Sequence, residues 1–386
     1  MPMTIRQSLA TGIAAVTLLA IASASGVAYA APVQISPVAT IKVDGYPING
    51  ALSPNADRMY VSVRKHGPDG TFVTGEVDVI DTLTNTLLSR IPVGLGPTNL
   101  SMNADGTRVY VPNFGDGTVS VIDTASSAVI ATVVTGGSPL YAVVNPAGTK
   151  IYVPGGSANT VSVIDAATNA VSSTIATEHN PQVVTFSADG SIAYLTARDV
   201  DAIQVIDTAT ASVTATIPVG KGPIRVVLDR KGSHIFVPNY ESDSVSVIDV
   251  RTNKVIRTIK VGDGPIPPVV NPAGTRMWVG NALAGTVSEI DLRHLDRKRV
   301  VVRTIKVGKN PNFALLNALG DSLFITNNDS STMSGICTAT GKVTQTYHTG
   351  EKPRAALGGL ALYSIDWKGN DVSVFAVPAL GKGACS

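Results

Sequence analysis

Six aspartates recur at intervals of 42 residues: Asp81, Asp123, Asp165, Asp207, Asp249 and Asp291. Each closes a phrase close to TVSVID. Repeated carboxylates are raw material for metal sites and acid–base chemistry, yet a catalytic group is normally unique. An Asp at a strand end can instead accept backbone N–H groups two residues on and hold a turn. A turn built once per unit needs one Asp per unit, so the structural reading is the stronger. The equivalent place in a seventh unit holds Cys337, and the only other cysteine is Cys385. An exported chain would let these two form one disulfide that pins the C-terminus, although the sequence leaves open whether the sulfurs meet.

The five histidines, His66, His179, His234, His294 and His348, are scattered through the chain. A zinc or copper site needs several ligands converging, so neither a metal nor another cofactor is expected. His294 belongs to the basic stretch RHLDRKR, Arg293–Arg299, which reads as a solvated hairpin before it reads as a phosphate or acidic-polymer site. GxSxG, HExxH, CxxC and the Walker phosphate loop are absent from the sequence. VGKGP and VGDGP are glycine-rich, but they lead into strands, whereas a phosphate loop opens a helix. No catalytic residue can be nominated.

The elements that would position any site come from a longer repeat. A proline after a glycine-rich or polar turn recurs at Pro47, Pro97, Pro139, Pro181, Pro223, Pro265, Pro311 and Pro353, and five of the seven intervals are 42 residues. Each unit holds four β-branched runs. One follows the proline; then come a turn such as NADG, a run such as RVYVPN, the TVSVID phrase, and a run such as TIPVG. In TVSVID, Val119 and Val121 point to one side and Ser120 and Ile122 to the other. A sheet apolar on both faces cannot bury itself, and stacking such units radially does so while leaving only short edges. The fold class is therefore all-β: a single β-propeller of four-stranded blades, eight in number, with seven as the rival count. VATIKVDG, Val38–Gly45, matches a fourth-strand run and should complete the last blade, whose own run ends after three strands. The propeller is assigned to 31–386.

Residues 1–30 read as a signal peptide. Arg6 stands in the charged start, Ser8–Val27 is small and apolar, and Ala28-Tyr29-Ala30 has the form of a cleavage site. The mature chain then carries no transmembrane span and is expected in the periplasm, cell envelope or medium. Net charge is +2 and charged residues make up 15% of the chain; with no Lys/Arg stripe, nucleic acid is disfavoured as a partner.

VYVPN, TVSVIDT and TIPVGKGP resemble the YVTN-type repeat, and the chain is similar to YncE-like bacterial propellers over its whole mature length. The insertion Lys65–Gly75 in the first unit resembles that group as well. The resemblance implies an exported propeller used as a binding platform, and it carries over no catalytic motif. Ligands should sit where loops ring the channel. Two residues after each proline stand Asn49, Asn99, Tyr141, Val183, Arg225, Pro267, Phe313 and Ala355. The loops between second and third strands add Lys65, His66, Phe114, Arg198, Asp199, Tyr240, Glu241, Asn281, Asn327, Asn328, Trp367 and Lys368. The expected binding set is Asn49, Asn99, Tyr141, Arg225, Phe313, Arg198, Tyr240, Glu241, Asn281 and Trp367. The function read from this is a non-enzymatic binding or scaffold protein, monomeric, for an unknown protein, glycan or small ligand. The alternative is a propeller that hydrolyses a sugar lactone, with Arg225 beside Glu241 or Asp199.

Overall fold

The computed structural model describes residues 31–376 and Cys385. The expected signal peptide, residues 1–30, lies outside the described residues. Eight sheets follow one another along the chain. Blade 2 is typical, with strands Ser101–Met102, Arg108–Asn113, Thr118–Asp123 and Ala128–Val134 paired antiparallel in sequence order. Blades 1 and 3–6 repeat that order. Blade 8 takes three strands from the back of the chain, ending with Asp371–Phe375, and one from the front, Ala39–Lys42. Ala39 pairs with Val374 and Lys42 with Asp371, so the count is eight and the front strand closes the circle. Val33–Ile35 was not foreseen. It runs parallel to Lys342–His348 as a fifth strand of blade 7.

The apolar faces behave as the TVSVID phrase demands. Val119 and Val121 pack with Ala142, Ile151 and Val153 of blade 3, while Ile122 turns back to Val77, Val79 and Ile91 of blade 1. All eight apolar clusters join neighbouring blades in this way, including blade 8 to blade 1 through Ile41, Val43, Val61 and Ile365. Each buried Val or Ile contributes about 1.5–3 kcal/mol. A blade alone would keep none of its seam contacts.

The repeated aspartates hold turns. Asp81 Oδ1 accepts N–H from Leu83 and Thr84 at 2.9 Å, and Asp165 Oδ1 accepts from Ala167 and Thr168 at 3.0 Å. The other oxygen meets a cation at the head of the second strand: Arg58 at 3.0 Å and Lys150 at 2.9 Å. The Lys150 bond and the turn N–H groups pull Asp165 down to about 2. In blade 7 Cys337 stands in that place and is joined to Cys385, with Cα atoms 4.4 Å apart.

The first-unit insertion lengthens two strands into the hairpin Arg58–His66 and Phe72–Asp81, with Lys65 opposite Thr74 and His66 opposite Phe72. The basic stretch of unit six is an irregular loop with no strand of its own. It is clamped by Arg257 of blade 5, whose guanidinium donates to Leu295 O and Lys298 O. Among the described residues no helix is long and apolar enough to cross a membrane.

Candidate functional site

Alternating strand direction puts the blade-to-blade turns and the loops between second and third strands at one end of the channel. Backbone bonds tie the two loop sets together: Tyr240 N–H donates to Gly222 O, Phe114 N–H to Gly96 O and Trp367 N–H to Lys352 O, at 2.9–3.1 Å. This is the upper face.

Part of the upper face is scaffold. Asn113, Asn239, Asn281 and Asn327 close the second strands of blades 2, 5, 6 and 7 and are wholly buried. Asn281 Nδ2 donates to Thr286 Oγ1 at 2.9 Å and Ser288 Oγ at 3.0 Å. The next turn passes over these amides so closely that a Cβ at Gly262 would lie 2.8 Å from Asn281 Nδ2, which explains the first glycine of VGDGP. Asn281, expected in the ligand set, is therefore a buried rivet and is removed from it. Phe313 is also displaced. Its half-buried ring packs on the cores shared by blades 7, 8 and 1. It borders a hollow of about 710 Å³ at the opposite end of the channel, with Leu316, Val269 and Arg230.

Other expected residues do gather on the upper face. Asn49 Nδ2 donates to Asn99 Oδ1 at 3.2 Å, and Asn99 Nδ2 donates to Leu140 O at 3.1 Å beside Tyr141. Arg225 is exposed. Its guanidinium has no hydrogen bond or ion pair with the described residues. Arg198 Nη2 stands 3.6 Å from Glu241 Oε1, both exposed, and Asp199 accepts from Asn180 Nδ2 at 3.1 Å. Lys65 is spent on Asp44 at 2.8 Å and Glu76 at 3.0 Å. A hollow of about 580 Å³ opens between blades 2 and 4, lined by Phe114, Asn159, His179, Gln182 and Asp199.

Two arginines escaped the sequence reading. Arg64 ends the inner side of the long hairpin, and its Nε donates to Pro97 O at 2.8 Å while its guanidinium carbon lies 5.3 Å from the Phe72 ring centre. Burial, with Arg354 nearby, lowers its pKa to about 10. In blade 8 Ala355 is buried, and the exposed residue is its neighbour Arg354. Desolvation by the surrounding protein lowers Arg354 too, although the residue stays exposed to water, and Tyr141 pulls the other way. Both stay cationic at neutral pH, and neither has a carboxylate partner among the described residues. The expected signal, two residues after the proline, misses Arg354 by one position.

Two of the buried acids, Asp78 and Glu289, lie in the seams. Asp78 is wholly buried, and burial with Glu76 beside it pushes it up to about 7. Glu289 sits between Arg276 at 3.3 Å and Arg303 at 3.0 Å. Among the described residues no three His, Cys, Asp or Glu side chains gather where they could hold a metal ion.

Comparison with known proteins agrees with this architecture. The choice-of-anchor I domain matches residues 17–230 and the YNCE-like beta-propeller matches residues 183–365. Hydrazine synthase of Kuenenia stuttgartiensis superposes with a TM-score of 0.60 at 21% identity, over 77% of this chain and 96% of that one. The dihydro-heme d1 dehydrogenase NirN, solved in complex with DHE, gives 0.65 at 16% identity, over 79% of this chain and 66% of that one. A functionally unknown protein from Desulfotomaculum acetoxidans gives 0.58 at 17%, over 78% and 96%. No curated relative matches the chain.

Proposed function

Since this chain belongs to the choice-of-anchor I domain and YncE-like β-propeller families, we propose that it is an exported, non-enzymatic binding protein whose ligand sits over the upper mouth of the channel. The supporting observation is the pair of neighbouring guanidiniums, Arg64 and Arg354, without a carboxylate partner among the described residues. Two like charges held near one another repel, and an arriving anion relieves that cost. Arg225 extends the positive rim on the other side, while Asn49, Asn99 and Tyr141 supply polar and aromatic contacts. The ligand is therefore anionic. Export rests on the leader read in residues 1–30.

The lactone-hydrolysing alternative gains nothing from the side chains. Among the described residues Arg225 stands without a carboxylate partner, Glu241 leans on Arg198 at 3.6 Å, and Asp199 is engaged by Asn180. The neighbours named as enzymes share the fold at 21% and 16% identity, which carries no activity to this chain.

The test is capture from an envelope extract with the full mature chain, comparing wild type with Arg354→Ala and Arg225→Ala. Whatever is released by raising the salt is identified by mass spectrometry. An acidic species held by wild type and lost in Arg354→Ala is expected. Equal recovery from all three proteins removes this face as the binding site.

A further inference from the structure

Five aromatic rings stand in a row on the upper face. Trp367 lies 6.0 Å from Tyr46, Tyr46 5.1 Å from His66, His66 5.0 Å from Phe72, and Phe72 6.3 Å from Phe114, centre to centre. They come from blades 8, 1 and 2, so the row crosses two seams. All five are only half-buried, unlike the aromatic residues of the cores.

The row is built by the long hairpin of blade 1. Its second and third strands have 9 and 10 residues, against 6 each in blade 2. The added length carries His66 and Phe72 toward blade 2, where the Phe72 ring rests on glycine backbone. A Cβ at Gly96 would lie 3.0 Å from that ring, and one at Gly115 3.3 Å from it. Gly96 has φ +62°, so both space and conformation require glycine there. Arg64 lies over the Phe72 ring and is fixed by Pro97 O. Its terminal amino groups make no hydrogen bond with the described residues. Cationic forks beside half-exposed rings suit one class of ligand: a flat π-system for the rings and an oxyanion for the guanidiniums.

We propose that the aromatic row, with Arg64 and Arg354, binds a small planar conjugated acid, its ring system against the row and its carboxylate or phosphate between the two guanidiniums. This rests on the reading of the upper mouth as the binding face and names the class of ligand taken there.

Trp367 supplies the readout, because it belongs to the row while Trp278, the only other tryptophan, is buried in blade 6. The probes are 2-naphthoate, 2-naphthyl phosphate, neutral 2-naphthamide, acetate and inorganic phosphate, titrated into the full mature chain. One of the two flat anions should quench Trp367 saturably, and which one does so decides between carboxylate and phosphate. Naphthamide, acetate and phosphate alone should each bind about tenfold more weakly or worse. Arg354→Gln and Phe72→Ala should each weaken the flat anion by about tenfold. His66→Leu, which spares the hairpin tip, should weaken it too. Naphthamide binding as well as the anions overturns the proposal, as does affinity that survives both Arg64→Gln and Arg354→Gln. If envelope capture depends on Arg354 while neither naphthalene anion binds, the mouth remains a binding face and this ligand class alone is removed.

Discussion

Asp366 pairs with Pro353 just as Asn281 pairs with Pro265, yet it brings a carboxyl where four blades bring an amide. It is wholly buried and accepts from Ser364 Oγ at 2.5 Å, Ser373 Oγ at 2.6 Å and Gly350 N–H at 2.9 Å. Burial raises its pKa to about 7, the three donors pull the other way, and Asp371 adds to the rise. The sign follows from proton binding. Between an unfolded value near 4 and a folded value near 7, the native state holds the extra proton, so stability falls as pH rises through that window. Asp78 acts in the same direction in the seam between blades 8 and 1, whereas the turn aspartates, held low, lose their contribution only in strong acid. Asp366→Asn restores the group that the other blades use. It should stabilise the protein at pH 8 by on the order of 2–4 kcal/mol and flatten the dependence between pH 4 and 7. Urea unfolding at both ends of the range checks this; a variant with the slope of the parent would show that Asp366 is not its source.

At the scale of strands, the two front segments should differ sharply in what they contribute. Ala39–Lys42 supplies the fourth strand of blade 8, and Ile41 and Val43 are 5% and 6% exposed within the seam to blade 1. Val33–Ile35 only lines an outer edge, and Val33 is 63% exposed. Removing residues 31–37 should cost about 1 kcal/mol, while removing 31–43 should cost at least about 5 kcal/mol and leave Asp371–Phe375 as an open edge. Denaturant midpoints measure both, and equal losses would mean that the circle is not closed by the second segment. The first of these differences is legible in the letters: VATIKVDG is an orphan copy of a repeated strand, so its place is implied by the gap at the other end. Val33–Ile35 has no counterpart in any unit, and nothing in a period can announce a parallel partner in blade 7. The inner strand of blade 2 is only Ser101–Met102, because Asn99 N–H bonds Leu140 O of the next blade. Spacing from the proline picks out Asn49, Asn99, Tyr141 and Arg225, but Phe313 packs half-buried on the cores, Ala355 is buried, and Arg354 beside it is the exposed residue. Arg64 looks like any strand residue until the hairpin is folded.

For the molecule as a whole, stability is the sum of eight seams, and blade 8 with its border to blade 7 is unlike the rest. Both chain ends meet there. Val33–Ile35 joins blade 7, Ala39–Lys42 joins blade 8, Lys42 Nζ pairs with Asp371 at 2.7 Å, and Cys385 is bonded to Cys337 of blade 7. The chain itself crosses every seam, so the circle opens where two strands of distant sequence part, inside blade 8 between Ala39–Lys42 and Asp371–Phe375. The disulfide closes a loop of 48 residues containing all three back strands of blade 8, so the loop-entropy argument gives it about 4 kcal/mol. Most of that should be felt as resistance to unfolding of blade 8. Reduction, or Cys337→Ser, should therefore lower the unfolding free energy by roughly 2–4 kcal/mol and speed amide exchange in Ala39–Lys42, Leu362–Asp366 and Asp371–Phe375. Exchange in Ile192–Ala197 and Ala202–Asp207 of blade 4, half the circle away, should keep its rate under native conditions. Uniform acceleration around all eight blades would mean that the ring opens as one unit, and that the joined ends are no weaker than any other seam.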